Sequence, residues 1–302
     1  MGEAATVRGF PAERQDTVSA FLAGCRSDET RNAYRRDLAD FDAFLGKAIE
    51  EASRLDVEAW ISTLRDAGMA PATVNRKVSA VRSYLRLLLD EGIIARNPAN
   101  HARTPTVAAE SSTPGLSKEE ARAMLAACDD STVGRRDRAL LALLLFQALR
   151  VSEAVGASVE DLGDDSGYPV LRVNGKGGKV VRVPLTPATV ATLRKWLETA
   201  ELEDGALLRS VKKGGRVDGA LSRSGAFRRI RFLAKRAGIE KKISPHSLRH
   251  TAITLALDGG VSLRHVQDFA RHADPRTTRR YDLRRNSLNN PSGAAVVAAI
   301  ED

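Results

Sequence analysis

Cysteine is nearly absent: 302 residues hold two, Cys25 and Cys128, far apart in the chain. Neither belongs to a Cys/His cluster with zinc spacing, so a disulfide scaffold and a zinc module are both excluded. Each lies in an apolar helical pattern, which predicts buried free thiols in a reducing compartment. Long hydrophobic runs are missing too. The longest, Ala139 to Phe146, is too short to span a bilayer, and the polar run Glu13 to Asp16 interrupts any secretory leader. A cytoplasmic protein beside the nucleoid, with no membrane partner, is expected. There is no Walker lysine loop, no Gly-x-Ser-x-Gly elbow, no tight carboxylate group for magnesium, and no tandem repeat.

What the chain does contain is a globular balance with a cationic excess. Hydrophobic residues make up 43% and charged ones 28%, and the length suits one large or two ordinary domains. Lysine and arginine number 47 against 38 acidic residues, a net charge of +9. That excess favours a polyanionic partner.

Residues 1–15 carry no periodic pattern. A short helix is predicted over Thr17 to Cys25. A longer one follows, capped by Asp28 or Thr30, with Tyr34, Leu38, Phe41, Phe44 and Leu45 on one stripe. Asp56 is predicted to cap a third, which buries Val57, Trp60, Ile61 and Leu64 and ends at Gly68. The fourth, about Pro71 to Glu91, turns Val74, Val78, Val81, Leu85 and Leu88 inward, making a small bundle. Its other faces carry Arg76, Lys77, Arg82 and Arg86, either a solvated surface or one that lies against a duplex. Residues 96–115 hold three prolines and almost no apolar pattern, an extended linker with a reach of about 60 Å.

The second half opens on a capping box at Ser117 and Glu120, leading a helix to about Cys128. A helix over Arg138 to Leu149, apolar nearly all round, is the expected centre of this half. Arg150 and Glu153 follow it. They either pair to close the helix or leave Glu153 orienting Arg150 toward an anion. Tyr168 to Leu185 alternates about a glycine-rich centre and predicts a β-hairpin carrying Lys176 and Lys179. Helices are predicted for Pro187–Ala200 and Ser222–Ala237. The stretch Arg223 to Lys242, which includes Arg228, carries eight basic residues against Glu240 alone, a second candidate for duplex contact. A helix with His246 and Arg249 three apart on one face runs to Gly259, and Ser262 caps another through Ala270. Pro275 starts a short helical segment with Tyr281, and Ala294 to Ile300 reads as a small terminal helix.

A phosphate site built without a metal has to neutralise its anion with arginine, lysine and histidine. Arg150, Lys176, His246, Arg249 and His272 supply those groups, with Tyr281 as a candidate nucleophile. Tyr34, Tyr84 and Tyr168 fit structural positions, and His265 a helix surface.

Ala148-Leu149-Arg150-Val151-Ser152-Glu153, the hairpin around Asn174-Gly175-Lys176-Gly177, His246-Ser247-Leu248-Arg249-His250, and His272 nine residues before Tyr281 form an ordered set. In order and spacing the chain resembles the tyrosine recombinases of phage-integrase and Xer type, over nearly its whole length. One departure stands out: the family commonly has Leu-Gly before the second histidine, where this chain has Ala270-Arg271. The resemblance implies a mainly α fold, with an N-terminal helical core-binding bundle (SAM-like, residues 1–95) and the linker 96–115. A C-terminal mixed α/β catalytic domain (116–302) with a small antiparallel sheet would follow.

It further implies that Arg150 and Arg249 clamp the scissile phosphate, Lys176 protonates the leaving 5′-oxygen, His246 assists Tyr281, and His272 hydrogen-bonds the phosphate. Tyr281 would form a 3′-phosphotyrosyl link with no cofactor, supported by Glu153 and His250. Duplex contacts are expected from Arg76, Lys77, Arg82, Arg86, Lys179, Arg223 and Arg228. The expected partners are recombination sites in double-stranded DNA, a homotetramer on that DNA, and accessory bending or directionality factors. A type IB topoisomerase-like enzyme and a non-catalytic DNA-binding protein remain as alternatives.

Overall fold

Among the described residues, side-chain caps set where most helices start. The computed structural model describes residues 15–25, 28–106, 114–175 and 180–271. The chain divides into two units, Met1–Ala108 and Ala109–Asp302.

In the first unit, helices α1 (Gln15–Ala23), α2 (Asp28–Leu45), α3 (Arg54–Asp66) and α4 (Pro71–Asp90) form a bundle. Ser53, not Asp56, caps α3. Asp56 is the third helical residue, and its carboxylate accepts the Ser53 N–H at 2.8 Å to complete a capping box. The core contains Leu38, Phe41, Trp60, Val78, Tyr84 and Leu85, with the Phe41 and Trp60 rings 4.8 Å apart. Phe44, expected on the buried stripe, is exposed. Tyr84 is fully buried and Tyr34 stacks on Phe21.

Part of the expected linker is packed on this bundle. Asn97, Ala99 and Ala102 are buried, Arg82 donates to the Ala99 carbonyl at 2.9 Å, and Asn75 donates to the Pro105 carbonyl at 3.1 Å. Short residues between prolines carry no periodic signal, so this docking is invisible to hydropathy.

The second unit contains α5 (Lys118–Ala126), α6 (Thr132–Leu145) and α7 (Val151–Gly156), followed by α8 (Pro187–Ala200), α9 (Arg223–Arg236), α10 (Pro245–Asp258) and α11 (Leu263–Ala270). Strands β1 (Leu162–Asp165), β2 (Tyr168–Asn174) and β3 (Val180–Pro184) make an antiparallel sheet in the order β1-β2-β3. Strands β4 (Arg209–Val211) and β5 (Val217–Ala220) pair separately. Helix α6 is the centre, with Leu140, Leu141, Leu143 and Leu144 fully buried. It begins earlier than its apolar run because Ser131 caps it, and it ends at Leu145 because Ala148 turns left-handed at φ 46°. Cys128 is buried and Cys25 half-buried, and burial, with Asp137 nearby, pushes the Cys128 thiol up to about 11. Among the described residues no helix is long and apolar enough to cross a membrane.

Lys77 lies 3.5 Å from Asp37, whose side chain is 2% exposed, and also pairs with Asp40. Removing one member of a buried pair leaves the other charge stranded. Arg76 stays on Asp37 in Lys77→Met, so chemical denaturation should show a loss of about 3 kcal/mol, the low end for such removals. A change smaller than about 0.5 kcal/mol would show that the pair contributes no net stability.

Candidate active site

The site begins where α6 stops. After Ala148, Leu149 donates back to the Leu143 carbonyl at 3.1 Å, and Arg150 takes an extended conformation (φ −71°, ψ 150°) as the residue preceding α7. Glu153 reaches back from the first turn of α7. Its Oε2 accepts the Arg150 backbone N–H at 2.8 Å and its Oε1 accepts the Arg150 Nη1 at 2.7 Å. The two readings left open by the sequence are therefore one arrangement, because the same carboxylate closes α7 and holds the guanidinium. The Glu153 side chain is 3% exposed while that of Arg150 is 40% exposed. Burial alone would push the Glu153 carboxyl up. The Arg150 N–H, the nearby Arg271 charge and the Arg150 side chain outweigh it and hold the group below its usual range.

Helix α10 supplies the next two groups. Ser244 caps it by accepting the Ser247 N–H at 3.3 Å, and Pro245 occupies the first turn, where its missing donor costs nothing. Arg249 is buried, and its guanidinium donates to the carbonyls of Ala148, in the turn after α6, and of Ala270, at the end of α11. His246, one turn earlier, keeps an exposed edge. Partial burial, the Arg249 charge and the Arg150 charge together lower its affinity for a proton, in that order. Its neutral form, able to accept a proton, is therefore favoured near neutral pH. The structure thus brings Arg150, Glu153, His246 and Arg249 together.

One further member appears only in three dimensions. Arg271 donates to Glu153 Oε2 at 3.1 Å and to the Ala148 carbonyl at 3.0 Å. In the sequence it stood out only as a charged residue where glycine is usual. His250 is buried elsewhere in α10, with Nδ1 3.3 Å from Thr254 Oγ1, and its ring lies against Gly115, where an added Cβ would meet Nδ1 at 3.0 Å. Lys176, Lys179, His272, Tyr281 and the terminal helix lie outside the described residues. Among the described residues no three His, Cys, Asp or Glu side chains gather as a metal site.

The expected duplex contacts divide. Lys77 is 6% exposed and committed to Asp37 and Asp40, so the reading of it as a phosphate contact is corrected: its charge is already neutralised inside the bundle. Arg76 is paired to Asp37 and Arg82 is held to Ala99. Arg86 is exposed and bonds Asp90 at 2.9 Å, while Arg223 and Arg228 are exposed on α9. Elsewhere in that basic stretch, Arg229, Arg236 and Lys241 pair with Asp137, Asp129 and Glu120.

Comparison with known proteins gives the arrangement a context. Residues 115–286 match the model of the phage integrase family, and residues 20–92 match that of the phage integrase N-terminal SAM-like domain. Tyrosine recombinase XerC of Xanthomonas campestris pv. campestris is 36% identical over 276 residues, 87% of this chain and 83% of the relative. Tyrosine recombinase XerD of Oceanobacillus iheyensis is 33% identical over 269 residues, 84% of this chain and 87% of the relative. Among solved structures, a XerH recombinase in a post-cleavage complex with a palindromic difH substrate is similar, with a TM-score of 0.70 and 19% identity. That likeness covers 97% of this chain and 91% of the other. A lambda integrase dimer bound to a COC' core site has a TM-score of 0.71 and 18% identity, covering 91% and 97%. A lambda integrase tetramer on a Holliday junction has a TM-score of 0.70 and 18% identity, covering 88% and 75%. These last likenesses concern the fold, which is mainly helical with small antiparallel sheets, as the sequence led one to expect.

The lowered proton affinity of His246 has a testable sign. The unfolded chain takes up this proton near pH 6.5 and the folded chain only at lower pH, so the contribution of His246 to stability is present above that range and lost on acidification. His246→Gln should therefore match wild type at pH 8 and lose less thermal stability between about pH 7 and 5. Parallel Tm curves for the two proteins across that window would contradict the shift.

Proposed function

The chain belongs to the phage integrase family of tyrosine recombinases, and from that membership we propose that it cuts and rejoins DNA at specific sites through a 3′-phosphotyrosyl intermediate on Tyr281. The observation that carries this reading is the meeting of Arg150, bonded to a buried carboxylate, with Arg249 and with His246, whose proton affinity both arginine charges lower. A cluster with three guanidinia, counting Arg271, against one Glu153 retains positive charge, which suits an oxyanion that gains charge on reaction.

In this reading Arg150 and Arg249 hold the nonbridging oxygens of the scissile phosphate and stabilise its pentacoordinate state. The Tyr281 oxygen attacks phosphorus and the 5′-oxygen departs with a proton from Lys176. His246 accepts the tyrosine proton, a role to which its favoured neutral form is suited, and His272 hydrogen-bonds the phosphate. Bond energy stays in the phosphotyrosyl ester, so a second 5′-hydroxyl reseals the strand without a nucleotide or metal ion. Four protomers would act on two duplexes, with Arg86, Lys179, Arg223 and Arg228 along the DNA and accessory factors setting direction. Residues 1–95 would grip the core site and 116–302 carry the chemistry. The working place would be the nucleoid.

A nicked suicide substrate from the host element tests the chemistry. Wild-type protein should trap a covalent adduct that survives denaturation and Tyr281→Phe should trap none. Arg249→Ala should cleave about 10²- to 10³-fold more slowly, the usual cost of losing one donor to a developing oxyanion. An adduct of undiminished yield with Tyr281→Phe would remove Tyr281 from the reaction. A supercoiled plasmid with paired sites should recombine, whereas plain relaxation would point to a topoisomerase.

A further inference from the structure

Arg271 holds a backbone conformation that disfavours side chains, yet its long side chain is directed into the site. It ends α11 at φ 52°, ψ 46°, the left-handed region where glycine sits without strain. Its side chain is 13% exposed and its guanidinium makes four bonds. Nη1 donates to the Phe269 and Gln147 carbonyls at 3.0 and 3.3 Å, and Nη2 to the Ala148 carbonyl and Glu153 Oε2 at 3.0 and 3.1 Å. In return, its own carbonyl accepts the Arg150 Nη2 at 3.4 Å. Every one of these partners except Phe269 lies on the turn between α6 and α7 or on α7 itself.

We infer that Arg271 is a positioning residue, which shares Glu153 with Arg150 and so fixes where the Arg150 guanidinium points. This rests on the recombinase reading and extends it to a residue outside the expected set. The physical reason is competition for one carboxylate. Arg271 and the Arg150 backbone N–H both hold Oε2, so Glu153 meets the Arg150 side chain through Oε1 alone. Without Arg271, Oε2 keeps only the Arg150 backbone N–H, and the carboxylate can turn onto the Arg150 side chain in a two-point pair, which neutralises the cation that a phosphate needs. The Arg271 charge also helps keep Glu153 ionised. DNA affinity, spread over many phosphate contacts, does not depend on this orientation, but the cleavage step does.

The test follows cleavage of the nicked substrate by full-length protein in single turnover at saturating DNA. Arg271→Gly suits the left-handed backbone, so the fold is retained. Its cleavage rate should fall about ten- to a hundredfold, with DNA affinity changed less than about twofold. Arg271→Lys keeps a cation without the planar fork and should recover part of the rate. Because the effect passes through Glu153, adding Arg271→Gly to Glu153→Gln should cost less than about twofold more. Wild-type cleavage by Arg271→Gly, or single losses that multiply in the double variant, overturns the inference. Failure of the wild-type protein to form any adduct would instead defeat the recombinase reading. Thermal unfolding of the same proteins without DNA would then decide the inference, with additive Tm shifts for Arg271→Gly and Glu153→Gln counting against it.

Discussion

A single buried carboxylate organises the second unit's polar centre. Glu153 accepts from the Arg150 backbone, the Arg150 side chain and the Arg271 side chain, so the turn before α7 and the end of α11 are fixed to one group. Buried guanidinia are expensive unless paired and fully hydrogen-bonded. With three arginines and one glutamate, ion pairing alone cannot satisfy them. The structure meets the shortfall with backbone carbonyls: Ala148 accepts from Arg249 and Arg271, Ala270 from Arg249, and Arg271 from Arg150.

Those carbonyls are available because of where the helices end. The last carbonyls of a helix have no intrahelical partner, as at Ala270 in α11, and the Ala148 carbonyl lies outside any helix, in the turn that follows α6. Arginine then serves as a helix stop and as a fixed donor at once. Both chain reversals need a left-handed residue, Ala148 in one and Arg271 in the other, and neither is glycine. The strain of those two positions is offset by the bonds their carbonyls and side chains make. Positions of stored strain commonly accompany sites whose geometry is set in advance of ligand binding.

The first unit follows simpler rules, and its surface charges show how far a charge pattern can mislead. Arg76, Lys77, Arg82 and Arg86 look equivalent on the outer faces of α4. Lys77 is buried with Asp37 and Asp40, and Arg82 ties down residues that pass back over the helix. Only tertiary neighbours from α2 and from residues 97–105 separate a structural cation from a surface one. A helical repeat indicates which face a residue is on, not what lies opposite.

By itself the sequence determined the helical patterning, the β2–β3 hairpin and the family, because apolar period, turn residues and motif order are local or linear properties. It singled out Arg150, Glu153, His246 and Arg249 by residue type and spacing, and the fold gathers these four. It did not show helix α7, the β4–β5 pair or the early stop of α6, since each depends on a short segment with weak periodicity. Tertiary structure alone decided that Arg271 enters the site and that Lys77 leaves the surface. The physical reason is the same for both: the environment of a buried charge is defined by carboxylates and carbonyls from distant parts of the chain, and these have no trace in the residues beside it.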